Sequence, residues 1–168
     1  MVANALGLVL FPAMMAFAAS SDLLTMTISN RVSLILVVGF FVLALIIGMS
    51  GNTMLWHIGA GFVVLAVAFG CFAMRWIGGG DAKLAAATAL WLGFEHLLPY
   101  LFYASLFGGA LTLLLLAFRA MPLPPFLATQ EWAQRLHQKG GGVPYGIALA
   151  AAALFVYPNT FWMQAIAA

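Results

Sequence analysis

Apolar residues along this chain come in long unbroken stretches, not in the alternating pattern of a half-buried strand or the three-and-four pattern of a soluble amphipathic helix. Six stretches stand out, at roughly 3–20, 32–49, 55–75, 83–98, 100–118 and 145–164, most of them near the length that carries a helix across a bilayer. The polar residues gather in the gaps. Helices that are apolar all round need lipid or a protein interior as their solvent. The pattern therefore predicts an all-α polytopic membrane protein with about six transmembrane helices, in one integral-membrane domain over 1–168. Only a tight turn, predicted around Pro99, separates the fourth and fifth.

Composition sharpens this picture. Hydrophobic residues make up 65% of the 168 and charged residues 6%, with a mean hydropathy of +1.11; such a chain would precipitate as a soluble domain. The formal charge of +2 comes with no basic run, which leaves no surface for tracking a nucleic-acid backbone. Cys71 stands alone, which excludes an intrachain disulfide and an all-cysteine metal site and makes it a small packing residue.

Charge placement sets an orientation. With six helices, Arg31 lies in the first loop, Arg75 and Lys83 flank the third, and Arg119, Arg135 and Lys139 belong to the fifth. All the basic residues then share one side, which the positive-inside rule puts in the cytoplasm, with both termini outside. The Ala-x-Ala pattern in "AFAASSD" at 16–22 resembles a signal-peptidase site, but no basic segment precedes it. Cleavage there would also put every basic residue on the wrong face. The first stretch is expected to remain as a helix.

In this frame Asp22 follows the first helix and Asp81 precedes the fourth, so both stand at the same membrane boundary, while Glu95 falls on the opposite side near His96 and Glu131 lies in the long fifth loop. Ionisable groups at membrane depth are costly and mark functional sites. Taken singly, Asp81 reads as an N-cap after a glycine turn and Asp22 as a solvated residue beyond a helix. As a pair, two carboxylates in a partly dry site cannot both ionise easily, so one keeps a proton while the other polarises water. The three glycines Gly78, Gly79 and Gly80 in "GGGDAKL" would let an extended substrate backbone approach and would tolerate positive φ. Lys83 has two roles open to it, pairing with Asp81 or reaching out to lipid phosphate.

"GGGDAKL" resembles the GxGD signature of type IV prepilin peptidases, which are membrane aspartyl proteases of bacteria. "DLLTMTISN" is similar to the family's first-aspartate stretch, which ends in Ile-Pro-Asn; here Asp22, Ile28 and Asn30 match and Ser29 stands in place of the proline. "VPYGIALA" is similar to the run that opens the family's last helix, with Pro144, Tyr145 and Gly146 matching. The three motifs follow in family order across 22–150. The resemblance implies that Asp22 and Asp81 are the catalytic aspartates, with Gly78, Gly80, Lys83, Asn30, Pro144, Tyr145 and Gly146 supporting them or binding substrate. Asn30 has two roles open, orienting a carboxylate or leader backbone, or capping the second helix.

With one cysteine, the chain lacks the two CxxC pairs of the longer bifunctional members. The resemblance thus implies the short form similar to those of tight-adherence (Flp) pilus systems, without a methyltransferase or zinc segment, a cofactor or a metal. It also implies a place in the bacterial inner membrane, a cytoplasmic active site, and as substrate a pilin or pseudopilin precursor with a basic leader, a glycine before the cut and an apolar helix after it.

In the fifth loop, "ATQEWAQRLHQK" predicts about three helical turns with Trp132 and Leu136 on one face, serving either as a gate over the site or as a linker. His57 and His137 fall on opposite sides and cannot share a metal. The alternative function is a small proton- or cation-coupled membrane carrier built on the two aspartates. Their placement toward one face, away from the midplane where carrier sites lie, and the lack of an internal repeat speak against it.

Overall fold

The structure is a computed structural model and describes residues 2–163. The chain ends, and with them the expected placement of both termini, lie outside the described residues. Within these bounds the fold is all-α and fits a polytopic membrane protein: α1 Val2–Thr25, α2 Asn30–Ile46, α3 Gly51–Ala73, α4 Gly79–Ala120, α5 Glu131–His137 and α6 Tyr145–Val156, followed by a 3-10 turn over Tyr157–Asn159. Gly7–Thr25, Gly51–Ala73 and Gly79–Ala120 are long and apolar enough to cross a membrane, and Asn30–Ile46 and Tyr145–Asn159 are shorter apolar helices. The outward surface is itself apolar, with Leu45, Phe62, Phe69, Leu98, Phe102 and Leu113 exposed, as expected where lipid replaces water.

At 42 residues, a straight α4 would run about 63 Å, roughly twice the hydrocarbon thickness. It is instead two limbs, 79–92 and 94–120, joined at Gly93 with φ 66° and ψ 179°. The limbs fold back on one another: Tyr100 of the second lies beside Thr88 of the first. The six-helix count therefore fits, but the break falls at Gly93 and not at Pro99, which sits inside the second limb. Proline removes a hydrogen bond yet keeps φ in the right-handed range, so it bends a helix. Reversal needs a backbone region that glycine alone enters at low cost.

The Gly93 turn is buried, and the first limb of 14 residues rises only about 21 Å, so the reversal lies at membrane depth. Broken backbone is tolerated there only where its freed polar groups find partners. They do: His57 Nδ1 bonds Leu90 O at 2.8 Å and Trp162 Nε1 donates to Trp91 O at 2.6 Å. This gives His57 a capping role at the end of the bundle away from the aspartates. Around the same point Phe11, Phe40, Trp91, Tyr157 and Trp162 form an aromatic core. Trp91 Nε1 donates to Leu36 O at 2.8 Å and the Tyr157 hydroxyl to Gly7 O at 2.7 Å, tying α2 and α1 to it.

A Cβ at Gly93 would stand 3.1 Å from His57 Cε1 and Nε2 and would sit on a residue with φ +66°. Gly93→Ala should therefore cost about 1–3 kcal/mol, seen as a lowered unfolding temperature in detergent. An unchanged transition would remove the role given to this turn.

Candidate active site

Asp22 lies within the last turn of α1, and not beyond the helix as the sequence predicts. The polar residues do not end α1, because their hydroxyls fold back on the preceding turn: Ser20 Oγ donates to Ala16 O at 2.8 Å and Thr25 Oγ1 to Ser21 O at 2.7 Å. The helix stops at Met26, whose φ of 55° and N–H bond to Asp22 O (2.8 Å) form a left-handed C-terminal cap. The carboxyl group of Asp22 is buried, with the residue 5% exposed. Its Oδ2 accepts the Gly146 N–H at 2.7 Å, one of the N–H groups that the first turn of α6 leaves unpaired.

Asp81 is half-buried in the first turn of α4. The N-cap is Gly78, with φ −72° and ψ 146°, so Asp81 is not itself the cap. Its side chain folds back toward Gly78, as the third residue does in a capping box; Oδ2 lies 3.0 Å from the point where a Cβ on Gly78 would stand. Asp22 stands close enough to Asp81 for its charge to act on the Asp81 carboxyl group. Ile28 fills the space between their supports. Its Cβ lies 3.1 Å from a Cβ built at Gly80, and its Cδ1 2.6 Å from one built at Gly146. The α1–α2 turn, the start of α4 and the start of α6 thus converge on one side chain.

None of Gly78, Gly79 and Gly80 has positive φ, which corrects the conformational role expected of them. Gly78 and Gly80 are small for packing reasons: a side chain would meet the Asp81 carboxylate at one and Ile28 at the other. Lys83 does not pair with Asp81. Two residues apart on a helix, they point to nearly opposite faces, and Lys83 Nζ donates to Asn30 Oδ1 at 2.8 Å. Asn30 in turn neither caps α2 nor holds a carboxylate; Ser29 is the N-cap, its Oγ accepting from Arg31 N at 3.3 Å. Pro144 is the N-cap residue of α6. The Tyr145 ring covers Gly108 and its hydroxyl donates to Ala104 O at 3.3 Å, which fixes the second limb of α4 beside the aspartates.

The family model for type IV leader peptidases matches residues 9–113, more than half of the chain, with both aspartates inside the match. The chain belongs to the type IV leader peptidase family. No curated protein and no solved structure matches it. Membership makes the chain a peptidase of prepilin leader processing, and its long apolar helices fit a membrane protein.

The segment joining α4 to α6 closes the aspartate end of the peptidase. Its helix α5 has seven residues, shorter than the three turns predicted, and buries Ala133 and Leu136, while Trp132 remains partly exposed. Sequence reasoning missed how this segment is held. Arg119 Nε donates to Leu136 O and its Nη2 to Gly142 O, both at 2.7 Å, and Arg135 Nη1 donates to Leu24 O at 2.7 Å. His137 Nε2 bonds Met121 O at 2.8 Å. Basic side chains at helix C-termini are the sequence signal for such bonds. Leu24, the acceptor for Arg135, is two residues from Asp22, so α5 is anchored at the rim of the site.

Proposed function

We propose that this peptidase is an aspartic endopeptidase that removes the leader from Flp-type prepilins or pseudopilins, with Asp22 and Asp81 as its catalytic pair. The observation that carries this reading is the convergence of the two carboxyl groups, 59 residues apart in sequence, at one end of the bundle. One carboxylate takes a proton from water, and the water oxygen bonds to the carbon of the scissile peptide. The other carboxyl group, protonated, hydrogen-bonds the carbonyl oxygen as negative charge develops there. Collapse of the tetrahedral intermediate breaks the C–N bond as a proton passes to the leaving amine. The single proton belongs to the pair and not to either residue.

The same proposal takes 1–168 as one integral-membrane domain in a bacterial inner membrane, with the aspartates at the cytoplasmic face and both termini outside. The basic residues support that orientation, since Lys83, Arg119 and Arg135 all bond at the aspartate end. A proton- or cation-coupled carrier finds no support in the family match.

Purified protein in liposomes, incubated with a Flp-type prepilin, should yield two fragments whose masses place the cut after the glycine that ends the leader. Reporters fused after Gly51 should read as periplasmic and those within 128–138 as cytoplasmic. An intact precursor in the presence of folded protein would sink the proposed activity, and reversed reporters the orientation.

A further inference from the structure

Three helices leave a gap between them that their side chains do not fill. α2 and α3 are joined by the short turn 47–50, yet each packs on α4 and scarcely on the other. Between them lies a groove of about 610 Å³. Lys83, Ala86, Ala87 and Leu90 follow at i, i+3, i+4 and i+7, so one face of the first limb of α4 makes its floor. Two alanines keep that floor low. At Gly61, α3 comes so near it that a Cβ would stand 3.1 Å from Leu90 Cβ.

The polar lining gathers at one end, where Asn30, Arg31 and Lys83 form the mouth. No acidic residue lines the groove. Lys83 Nζ donates to the neutral amide of Asn30 at 2.8 Å, one of the three donors an ammonium group carries. Neither cation at the mouth thus faces a counter-charge within the groove.

Depth and direction decide what fits. From Lys83 to Leu90 the floor rises about 10 Å, and from Asn30 to Phe41 α2 rises about 16 Å. This approaches half of a hydrocarbon core about 30 Å thick, which is the depth of one leaflet, with the charges at headgroup level. A transmembrane helix of the substrate would need a groove about twice as long. It would also have to reach Asp81, which stands on nearly the opposite face of α4 from Lys83, and the basic leader expected of it would meet two like charges.

We propose that this groove seats one anionic membrane phospholipid, its acyl chain along the Ala86 and Ala87 floor and its phosphate between Arg31 and Lys83. Apolar burial alone would hold any lipid; a basic pocket between membrane helices selects the anionic headgroup. The inference stands apart from the catalytic assignment, because it uses neither Asp22 nor Asp81.

The test titrates delipidated protein in neutral detergent with phosphatidylglycerol or phosphatidylcholine and counts bound lipid by native mass spectrometry. One phosphatidylglycerol should bind more tightly than phosphatidylcholine. Arg31→Gln and Lys83→Gln should each weaken it about fivefold, the factor that one basic residue contributes near an anionic headgroup, and leave phosphatidylcholine unaffected. Ala87→Phe should abolish the tight site with both cations in place, because the ring fills the floor. Inorganic phosphate should not compete, since it has no acyl chain. The two Gln variants alter only exposed side chains and decide the matter even if Ala87→Phe fails to fold. A benzophenone amino acid in place of Phe62, on the α3 wall, should crosslink phospholipid and not an added prepilin. Equal affinity for the two lipids, or a double Gln variant that binds phosphatidylglycerol as wild type does, would overturn the proposal. Capture of the prepilin at residue 62 would overturn it too, by giving the groove to the substrate.

Discussion

Asp22→Asn and Asp81→Asn should each reduce leader removal by on the order of 10⁴-fold or more, while leaving the protein folded. An amide can neither take a proton from water nor share one with its partner, so each variant removes the chemistry. The fold survives because an Asn at 22 still accepts the Gly146 N–H, now at 2.7 Å, through its carbonyl oxygen. An Asn at 81 likewise keeps an oxygen that can turn back on Gly78. Replacing a carboxyl group by a neutral isostere in this half-dry setting also removes the cost of holding two acids together, so neither variant is expected to unfold at lower temperature.

The double variant separates a catalytic pair from two independent structural residues. Groups that act as one unit are strongly non-additive, so Asp22→Asn with Asp81→Asn should be hardly slower than either alone. Two unrelated capping residues would instead show stability losses that sum at about 1 kcal/mol each. Precursor cleavage and thermal unfolding measured on all three proteins decide it. Near-normal trimming by either single variant would end the diaspartyl assignment.

Several parts of this arrangement could be read in the sequence because they depend on counting alone. The parity of the apolar stretches fixes which loops share a side, and so brings Asp22 and Asp81 to one boundary without any knowledge of packing. The length of those stretches fixes the helical, membrane-spanning class. What sequence could not supply is contact between faces. Gly93 looks like any helical glycine until the limbs are seen to reverse there, whereas Pro99 carries the stronger punctuation and only bends its limb. Lys83 stands two residues from Asp81 in sequence but on the far side of the helix, so adjacency suggested an ion pair that geometry forbids. Gly78 and Gly80 invite a backbone explanation, and the actual reason is the bulk of Asp81 and Ile28 against them. Thr88 and Tyr100 become neighbours only through the fold-back.

Gly146→Ala should lower kcat by about 100-fold, the loss that a displacement of about 1 Å produces in a reacting group. A Cβ at this position would stand 2.8 Å from Asp22 Oδ2 and 3.1 Å from its Cγ, and 2.6 Å from Ile28 Cδ1. The N–H of residue 146 would remain, so the carboxylate keeps its donor but must move to make room. Overpacking at a helix start costs about 1–3 kcal/mol, and a stability loss of that size leaves most of the protein folded at assay temperature. Two companions give the result its meaning. Gly109→Ala adds the same methyl group where nothing lies within 4 Å and should leave activity unchanged, with any stability change slightly favourable as is usual for alanine in a helix. Ile28→Val in the Gly146→Ala background removes the Cδ1 that the new methyl group meets, so it relieves the contact with Ile28 but not the one with Asp22. If Asp22 displacement is the cause, the paired variant should recover stability and stay slow. Recovery of kcat along with stability would show that Gly146 serves the packing of Ile28 and not the placement of the carboxylate.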